Sequence, residues 1–498
     1  MTDFFKYIVG PISENMDKFS RRDAFCLSGE RYSYAQLKEV VSHIRAILRG
    51  IDSQKVGLVV NDDFATYASI LALWFEGKCY VPLHPNQPLD RCMEIINQVG
   101  LKEIVDSSVQ TRYKSSNIID PSFKEGDKVV PFGEIKEYPD TNLAYILFTS
   151  GSTGKPKGVM ITRGNVGSFM DSFWKTGIKI DENDRCLQCF DLTFDVSVQS
   201  FLSGLTVGAC VYTVQPGNIK YIVVASMIED EKITFGAMAP SMLRYLKPYF
   251  EELDFSTLKT VILTAEASPL ALVEEWLKQA GHIQVYDFYG PTEATIYCTY
   301  YKLRGEGENK TLNGMLSIGK PMANVEAIIV DDNFNEVERG VKGELCLSGG
   351  QITAGYWENP ERDKSAFIFK EVAGKSRRFY RTGDLCFVDD EGDIMYSGRI
   401  DNQAKIQGFR VELGEIEFHA RAFLSNINVV AMAFDNEASL TQLALFVESD
   451  QFDTNPLEEY LRGKMPSYMV PSKYIFVPLF PLNSSDKIDR IKLKAILD

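Results

Sequence analysis

The chain has 498 residues, 45% hydrophobic and 24% charged, which is typical of a globular protein of about two to four domains. Its 53 Lys and Arg residues against 68 Asp and Glu residues give a formal net charge of −15, which disfavours proteins that bind nucleic acids or acidic membranes. The apolar runs are shorter than the roughly 20 residues that cross a bilayer, and neither a secretory leader nor a disulfide framework is predicted. We therefore expect a cytoplasmic protein with reduced cysteines.

Up to about residue 400 the sequence alternates short apolar runs with longer amphipathic stretches. The short runs predict buried strands at 56–60, 146–148, 209–213, 260–263 and 285–288. The longer stretches predict helices at 68–75, 166–174, 194–201, 225–231 and 270–280. This alternation predicts an α/β fold with mostly parallel sheets, whose ligand sites lie beyond the carboxyl ends of the strands.

The pattern changes in the last third of the chain. From Val325 onward, short strands separated by turns predict a small β-rich subdomain, and the residues after 400 predict a small α+β domain. The sequence therefore predicts a large N-terminal α/β domain over residues 1–400 and a small C-terminal domain over 401–498.

The segment Tyr145–Gly158 is an apolar strand that leads into a loop of Gly, Ser, Thr and Lys. Glycines let backbone N–H groups approach phosphate oxygens, hydroxyls donate further hydrogen bonds, and Lys155 and Lys157 offset negative charge. The loop is not of the Walker type, because Thr149 replaces the first glycine and Pro156 follows Lys155. The composition predicts a triphosphate-binding loop, although it would also fit a flexible surface hairpin.

Further motifs accompany this loop in a fixed order: Tyr32–Leu37, Gly77–Leu83, Phe288–Glu293, Gly343–Gly349, Tyr380–Leu385, Gly398–Asp401, Lys405–Glu415 and Pro481–Lys487. Together they resemble the adenylate-forming superfamily of acyl-CoA synthetases, luciferases and amino-acid adenylation domains. The resemblance covers essentially the whole chain. It implies attack of a carboxylate on the α-phosphate of ATP, which gives an acyl-adenylate and pyrophosphate, followed by capture of the acyl group by a thiol.

The resemblance also assigns residues to the nucleotide and to magnesium. Glu293 is the expected Mg²⁺ ligand, since this cation prefers carboxylate, phosphate and water oxygens. Thr292 would contact the α-phosphate, and Lys487 would bridge that phosphate and the substrate carboxylate. The other residues expected to bind ATP are Thr149, Ser150, Gly151, Ser152, Thr153, Gly154, Lys155, Asp287, Tyr289, Gly290, Asp384 and Arg399.

Asp401 resembles the hinge about which the small domain of this family moves. In one pose Lys487 would enter the active site. In the other, the loop Lys405–Gly408 would replace it, so Lys405 is expected to act during thiol transfer.

The segment Phe194–Phe201 resembles the one that supplies the substrate pocket in amino-acid-activating members. Asp195 falls where these members place the aspartate that binds the α-ammonium group, and a dehydrated zwitterion needs a counter-charge at each end. Asp191 fits the same local pattern and is the alternative. The remaining residues expected to line the pocket are Val196, Gln199, Leu263, Ala265, Phe288, Ile296 and Tyr297. Their pattern is most similar to proline-activating domains, with alanine, glycine and valine left open.

We therefore predict an AMP-forming amino-acid ligase of the nonribosomal-peptide type that uses ATP and Mg²⁺, with L-proline as the best candidate substrate. Because the sequence ends soon after Lys487 and no condensation segment precedes residue 30, the expected acceptor is the phosphopantetheine thiol of a separate carrier protein. The alternatives are a D-alanine:carrier-protein ligase, an acyl- or aryl-CoA synthetase, and a nucleotide-binding protein without turnover. The pair Cys186 and Cys189 does not predict a zinc site, since no second pair lies nearby.

Overall fold

A computed structural model describes residues 1–114, 116–124, 127–151, 154–214, 219–305, 308–372, 374–400, 403–425, 427–436, 439–481 and 488–497. The predicted site residues Ser152, Thr153, Asp401 and Lys487 lie outside these described residues. Within the described ranges, no helix combines the length and the apolar character that crossing a membrane requires.

Helices occur throughout the chain, and several begin at residues whose side chains cap the first turn. They are α1 Gly10–Lys18, α2 Tyr34–Leu48, α3 Phe64–Phe75, α4 Leu89–Val99, α5 Arg163–Trp174, α6 Asp195–Leu205, α7 Lys220–Glu229, α8 Pro240–Leu246, α9 Leu270–Ala280, α10 Pro360–Ala366, α11 Leu413–Phe423, α12 Asn455–Lys464 and α13 Arg490–Lys494. The helix predicted at 270–280 has these bounds in the structure. The one predicted at 225–231 begins earlier and ends at Glu229, shortly before Lys232 takes a φ of 54°.

The strands of the first half are β1 Asp23–Leu27, β2 Glu30–Ser33, β3 Lys55–Val59, β4 Cys79–Leu83, β5 Glu103–Val105, β6 Asn117–Ile119, β7 Leu143–Thr149, β8 Lys157–Thr162, β9 Arg185–Gln188, β10 Cys210–Thr213 and β11 Phe235–Met238. Those of the middle are β12 Thr260–Leu263, β13 Gln284–Tyr289, β14 Thr299–Lys302, β15 Thr311–Leu312, β16 Met315–Leu316, β17 Lys320–Pro321, β18 Val325–Val330 and β19 Gly343–Gly349. The remaining strands are β20 Gly355–Tyr356, β21 Phe367–Val372, β22 Lys375–Val388, β23 Ile394–Arg399, β24 Gln403–Ile406, β25 Phe409–Glu412, β26 Val429–Asp435, β27 Thr441–Val447 and β28 Lys473–Phe476.

Two sheets with parallel interiors form the α/β part of the fold. One has the order β17-β14-β13-β12-β11-β9-β10-β1-β2, parallel from β13 to β1 and antiparallel at both edges. The other has the order β20-β8-β7-β4-β3-β5-β6, with β20 antiparallel to β8. An antiparallel sheet of β18-β19-β22-β21, with β23 paired to β22, forms the β-rich part. The predicted fold class is confirmed.

The chain divides into two compact units. The first unit comprises Met1–Pro85, Val99–Leu147 and Gly158–Ile400, and the second comprises Asn86–Gln98, Phe148–Lys157 and Asp401–Asp498. The predicted boundary at residue 400 coincides with one of these breaks, but two segments from the first 400 residues belong to the second unit. The division into an ATP-binding core and a mobile lid stays a prediction.

Helix α3 fixes the position of α6 within the first unit. It is buried from Thr66 to Phe75, and its Trp74 indole donates to the carbonyl oxygen of Ala144 in β7 at 3.0 Å. The same ring lies 6.1 Å from the ring of Phe201 in α6, centroid to centroid. Helix α6, which begins at Asp195, therefore packs on a rigid apolar support.

Candidate active site

Asp195 is the first residue of α6, and its carboxylate is buried, with 6% of the residue exposed. The backbone N–H of Ile296 donates to its Oδ2 at 3.2 Å. Burial raises the pKa of Asp195 to about 6, and the nearby charge of Glu293 acts in the same direction. Among the described residues, no Lys, Arg or His side chain forms an ion pair with this carboxylate.

Asp191, the alternative to Asp195, has partners of its own. Its Oδ2 lies 2.8 Å from Nε2 of His84, and its Oδ1 accepts hydrogen bonds from the backbone N–H and the hydroxyl of Thr193. Burial alone would raise the pKa of Asp191, but His84 and Thr193 outweigh burial and lower it to about 2. Its carboxylate therefore stabilises the loop before α6.

Several predicted pocket residues lie together near Asp195. The rings of Phe288 and Tyr297 are 5.0 Å apart between centroids, and the Tyr297 hydroxyl donates to Oε1 of Gln199 at 3.3 Å. Burial raises the pKa of the Tyr297 hydroxyl, so this group stays neutral, and together with the Gln199 amide it gives a wall without charge. On the neighbouring strand β12, Leu263 pairs in register with Asp287 of β13, and Ala265 follows with a φ of 70°. Val196 follows Asp195 on α6 and is also buried.

The segment 290–298, here called the 290–298 turn, follows β13 and presents the Ile296 N–H group. It contains a short 3₁₀ helix, Thr292–Ala294, after which Thr295 and Ile296 have φ values of 54° and 73°. Left-handed backbone costs a β-branched residue on the order of 1–3 kcal/mol, so other contacts must stabilise it. A Cβ atom at Gly290 would lie 2.4 Å from the Ile296 carbonyl oxygen, so this close approach requires glycine.

Glu293, the expected magnesium ligand, is only 2% exposed. Its Oε1 accepts a hydrogen bond from the Tyr356 hydroxyl at 2.6 Å, and its carbonyl oxygen accepts one from the Thr353 N–H at 2.8 Å. The described residues contain no group of three or more Asp, Glu, His or Cys side chains that could hold a metal. A single oriented carboxylate nevertheless fits Mg²⁺, which takes most of its ligands from phosphates and water.

The residues expected at the nucleoside lie on β13, β22 and β23. The register of β22 and β23 places Asp384 opposite Arg399, whose guanidinium donates to Oδ1 at 2.7 Å, while the Tyr289 hydroxyl donates to Oδ2. Asp287 accepts a hydrogen bond from the hydroxyl of Ser268. A buried acceptor beside an aromatic ring fits ribose hydroxyls and an adenine base.

The phosphate loop lies in the second unit, where its donors bind carboxylates of the chain itself. The Gly151 N–H donates to Oε2 of Glu415 at 2.8 Å, and Nζ of Lys157 donates to Oε1 of Glu412 at 2.7 Å. The Ser150 hydroxyl accepts from the Glu412 N–H at 3.0 Å. Since these donors already bind anionic oxygens, they fit phosphate oxygens as well.

The other predicted loop residues differ in exposure. Thr149 is half-buried, Gly154 is buried with a φ of 80°, and Lys155 is exposed. Lys405, also in the second unit, lies on β24 in the hairpin with β25. Lys405 therefore lies in a strand rather than in a loop, and its expected role in thiol transfer stays a prediction.

Sequence reasoning missed Ser268, Tyr356 and Gln351, which contact predicted site residues. Gln351 and Tyr356 lie shortly after the motif Gly343–Gly349, and this nearness in sequence is the signal that could have found them.

A sequence profile of the family described as AMP-binding enzyme matches residues 12–357. The chain belongs to the AMP-binding enzyme family. The resemblance to adenylate-forming proteins is thereby confirmed.

This AMP-binding enzyme is similar to proteins of nonribosomal peptide synthesis. It is 32% identical over 483 residues to zwittermicin A synthase ZmaJ from Bacillus cereus, covering 94% of this chain and 90% of that protein. Four curated relatives from Brevibacillus parabrevis are much longer, and the chain spans 13% or less of their length.

Two solved structures share its fold. The Vibrio cholerae adenylation domain AlmE, in complex with glycyl-adenosine-5′-phosphate, has a TM-score of 0.84 at 22% identity, with 98% of this chain and 97% of that chain covered. Holo-PA1221, an NRPS protein containing adenylation and PCP domains, has a TM-score of 0.83 at 21% identity, with 99% and 85% covered.

Proposed function

We propose that this AMP-binding enzyme is an AMP-forming ligase that activates an amino acid as an aminoacyl-adenylate. It uses ATP and Mg²⁺, and it then transfers the aminoacyl group to the phosphopantetheine thiol of a separate carrier protein. The observation that carries the proposal is the Asp195 carboxylate, buried beside the 290–298 turn without a cationic partner among the described residues. An ammonium group on the substrate supplies the missing positive charge, whereas a neutral organic acid does not.

In the first step, a carboxylate oxygen of the amino acid attacks the α-phosphorus of ATP, and the bond from this phosphorus to the bridging oxygen of pyrophosphate breaks. Thr292 and Lys487 are assigned to the α-phosphate by resemblance. Magnesium held by Glu293 would supply positive charge that offsets the charge of the phosphates.

In the second step, the carrier thiol attacks the acyl carbon, the thiol loses its proton, and AMP leaves with the electrons of the acyl–oxygen bond. Lys405 is assigned to this step by resemblance. The similarity to holo-PA1221, which contains a PCP domain, supports a carrier protein as acceptor.

We further propose a small or medium apolar amino acid, with L-proline as the best candidate. The Phe288 and Tyr297 rings and the Gln199–Tyr297 hydrogen bond support an uncharged pocket. AlmE is described with a glycyl-adenylate, which keeps glycine among the candidates together with alanine, D-alanine and valine.

Exchange of labelled pyrophosphate into ATP tests the activity. The panel should include the proteinogenic amino acids, D-alanine and benzoate. We expect the highest exchange with L-proline or another small apolar amino acid, followed by loading of a holo-carrier protein. Exchange with benzoate alone, or ATP binding without exchange for any acid, would overturn the proposal.

Two matched variants test the role of Asp195. Asp195→Asn should lower kcat/KM for the amino acid at least about 100-fold, because it leaves the substrate ammonium buried without a counter-charge. Asp191→Asn, four residues earlier, should change kcat/KM much less because its carboxylate already pairs with His84. A larger fall in kcat/KM for Asp191→Asn than for Asp195→Asn would assign the ammonium to Asp191.

Lys487→Ala should abolish the exchange of labelled pyrophosphate into ATP.

A further inference from the structure

Gln351 lies between β19 and β20 and contacts the 290–298 turn with both its side chain and its backbone. It is fully buried, and its Nε2 donates to the carbonyl oxygens of Tyr297 at 2.6 Å and Ala294 at 3.3 Å. Its own carbonyl oxygen accepts a hydrogen bond from the Thr295 hydroxyl. Within the described residues its Oε1 has no hydrogen-bond partner, so the side-chain amide acts here as a donor.

These contacts surround the part of the turn with left-handed backbone. Thr295 and Ile296, with φ values of 54° and 73°, lie between the two carbonyl groups that Gln351 binds. A β-branched residue adopts such a conformation only where its surroundings fix it. The amide of Gln351, a residue outside the 290–298 turn, therefore stabilises the turn through these two carbonyl groups.

Gln351 is itself attached to a rigid element. Nδ2 of Asn165, in the first turn of α5, donates to the carbonyl oxygens of the two residues that flank Gln351, Gly350 at 2.9 Å and Ile352 at 3.0 Å. Asn165 also forms a capping box with Thr162. The position of Gln351 is thus set by the start of a buried helix.

The 290–298 turn meets Asp195 through the Ile296 N–H, 3.2 Å from Oδ2. We propose that Gln351 is a positioning residue for substrate binding: its amide holds the turn so that the Ile296 N–H orients the Asp195 carboxylate toward the substrate ammonium. This inference rests on the proposed function.

The titratable groups that face Asp195 come from several elements. They are Glu293 on the turn and the buried tyrosines Tyr80, Tyr145 and Tyr297. Burial is the main cause that raises the pKa values of the three tyrosines. The Ile296 N–H favours the ionised form of Asp195, so its displacement should raise the pKa of this carboxyl group further.

The first experiment measures backbone hydrogen exchange by mass spectrometry on the full chain without substrate. Gln351→Met removes both donors while keeping the length of the side chain, and peptides covering 290–298 should exchange at least about tenfold faster. Gln188→Met is the matched control, since Gln188 is also fully buried and donates at 2.7 Å to the Phe190 carbonyl oxygen instead. Equal exchange at 290–298 in wild type and Gln351→Met would overturn the proposal.

The second experiment measures pyrophosphate exchange against pH. Gln351→Met should raise KM for the amino acid at least about tenfold with a smaller change in kcat, and it should shift the acid limb of kcat/KM to higher pH. In an Asp195→Asn background it should have little further effect on KM. An equal fall in kcat for both methionine variants, without a KM or pH effect, would contradict the positioning role. If the wild type shows no exchange with any amino acid, the proposed function fails, whereas hydrogen exchange still decides whether Gln351 holds the turn.

Discussion

The two aspartates before and at the start of α6 show how surroundings give one residue type different properties. Asp191 has an imidazole and two donors of Thr193, which lower its pKa to about 2, whereas the buried Asp195 has a pKa of about 6. A carboxylate that is costly to ionise in the free protein is suited to a ligand that brings the counter-charge.

This difference predicts a pH-dependent stability effect of Asp195→Asn. Because the pKa of Asp195 is raised from 3.8 to about 6, the folded state binds the proton more tightly, and stability falls as pH rises through this range. At pH 8 the variant should be more stable than wild type by about 1–3 kcal/mol, and at pH 4, close to the ordinary carboxyl pKa of 3.8, most of this gain should be lost. Urea unfolding at both pH values measures this, and an equal gain at both would contradict it.

Among individual residues, the sequence motifs predicted several that the structure brings together, such as Asp384 with Arg399 and Asp195 with Ile296. They did not predict Gln351, Tyr356 or Ser268. The contacts of these residues depend on how loops distant in sequence fold against β13, and hydrophobic periodicity carries no information about that arrangement.

Among the elements, periodic segments were predicted best. The helix at 270–280 has an apolar face that its sequence shows directly, whereas α7 ends at Glu229, shortly before the left-handed Lys232, which no local pattern required. The left-handed Thr295 and Ile296 were also unpredictable, because β-branched residues rarely adopt that backbone.

Two capping boxes allow a matched test at the start of helices. Gln36 caps α2 by accepting the Ser33 N–H at 2.7 Å, whereas Asn165 caps α5 and also donates to two carbonyl groups of the segment that carries Gln351. Gln36→Ala should lower the free energy of unfolding by about 0.5–1 kcal/mol and Asn165→Ala by about 2–3 kcal/mol. Shifts in the urea midpoint measure both. Equal shifts would show that the contacts of Asn165 beyond the cap contribute no stability.

For the whole molecule, the sequence predicted two contiguous domains, whereas the second unit also includes most of α4 and the phosphate loop. Within this unit, Nη1 of Arg91 donates to Oε1 of Glu415 at 2.6 Å, although the two residues are 324 positions apart in sequence. Long-range ion pairs of this kind cannot be inferred from one sequence.

The pair Arg91–Glu415 also predicts how the second unit responds to mutation. Both residues are buried, with 7% and 0% exposed. Arg91→Met should destabilise this unit by about 3–5 kcal/mol because it leaves the Glu415 carboxylate buried without a cation, and the double variant with Glu415→Leu should regain at least half of the loss. Chemical unfolding combined with limited proteolysis measures both. A double variant as unstable as the single one would contradict this account.

The nine cysteines are free thiols, eight of them buried and Cys210 half-buried. Only the thiolate form of cysteine reacts readily. Burial disfavours that form by raising the pKa of several of these thiols, namely Cys26, Cys79, Cys186, Cys189, Cys210, Cys346 and Cys386. A cysteine engineered onto the surface of each unit would therefore react with maleimide dyes well before the native ones. Energy transfer between two such dyes could report on the motion that the proposed hinge implies without first removing any native cysteine.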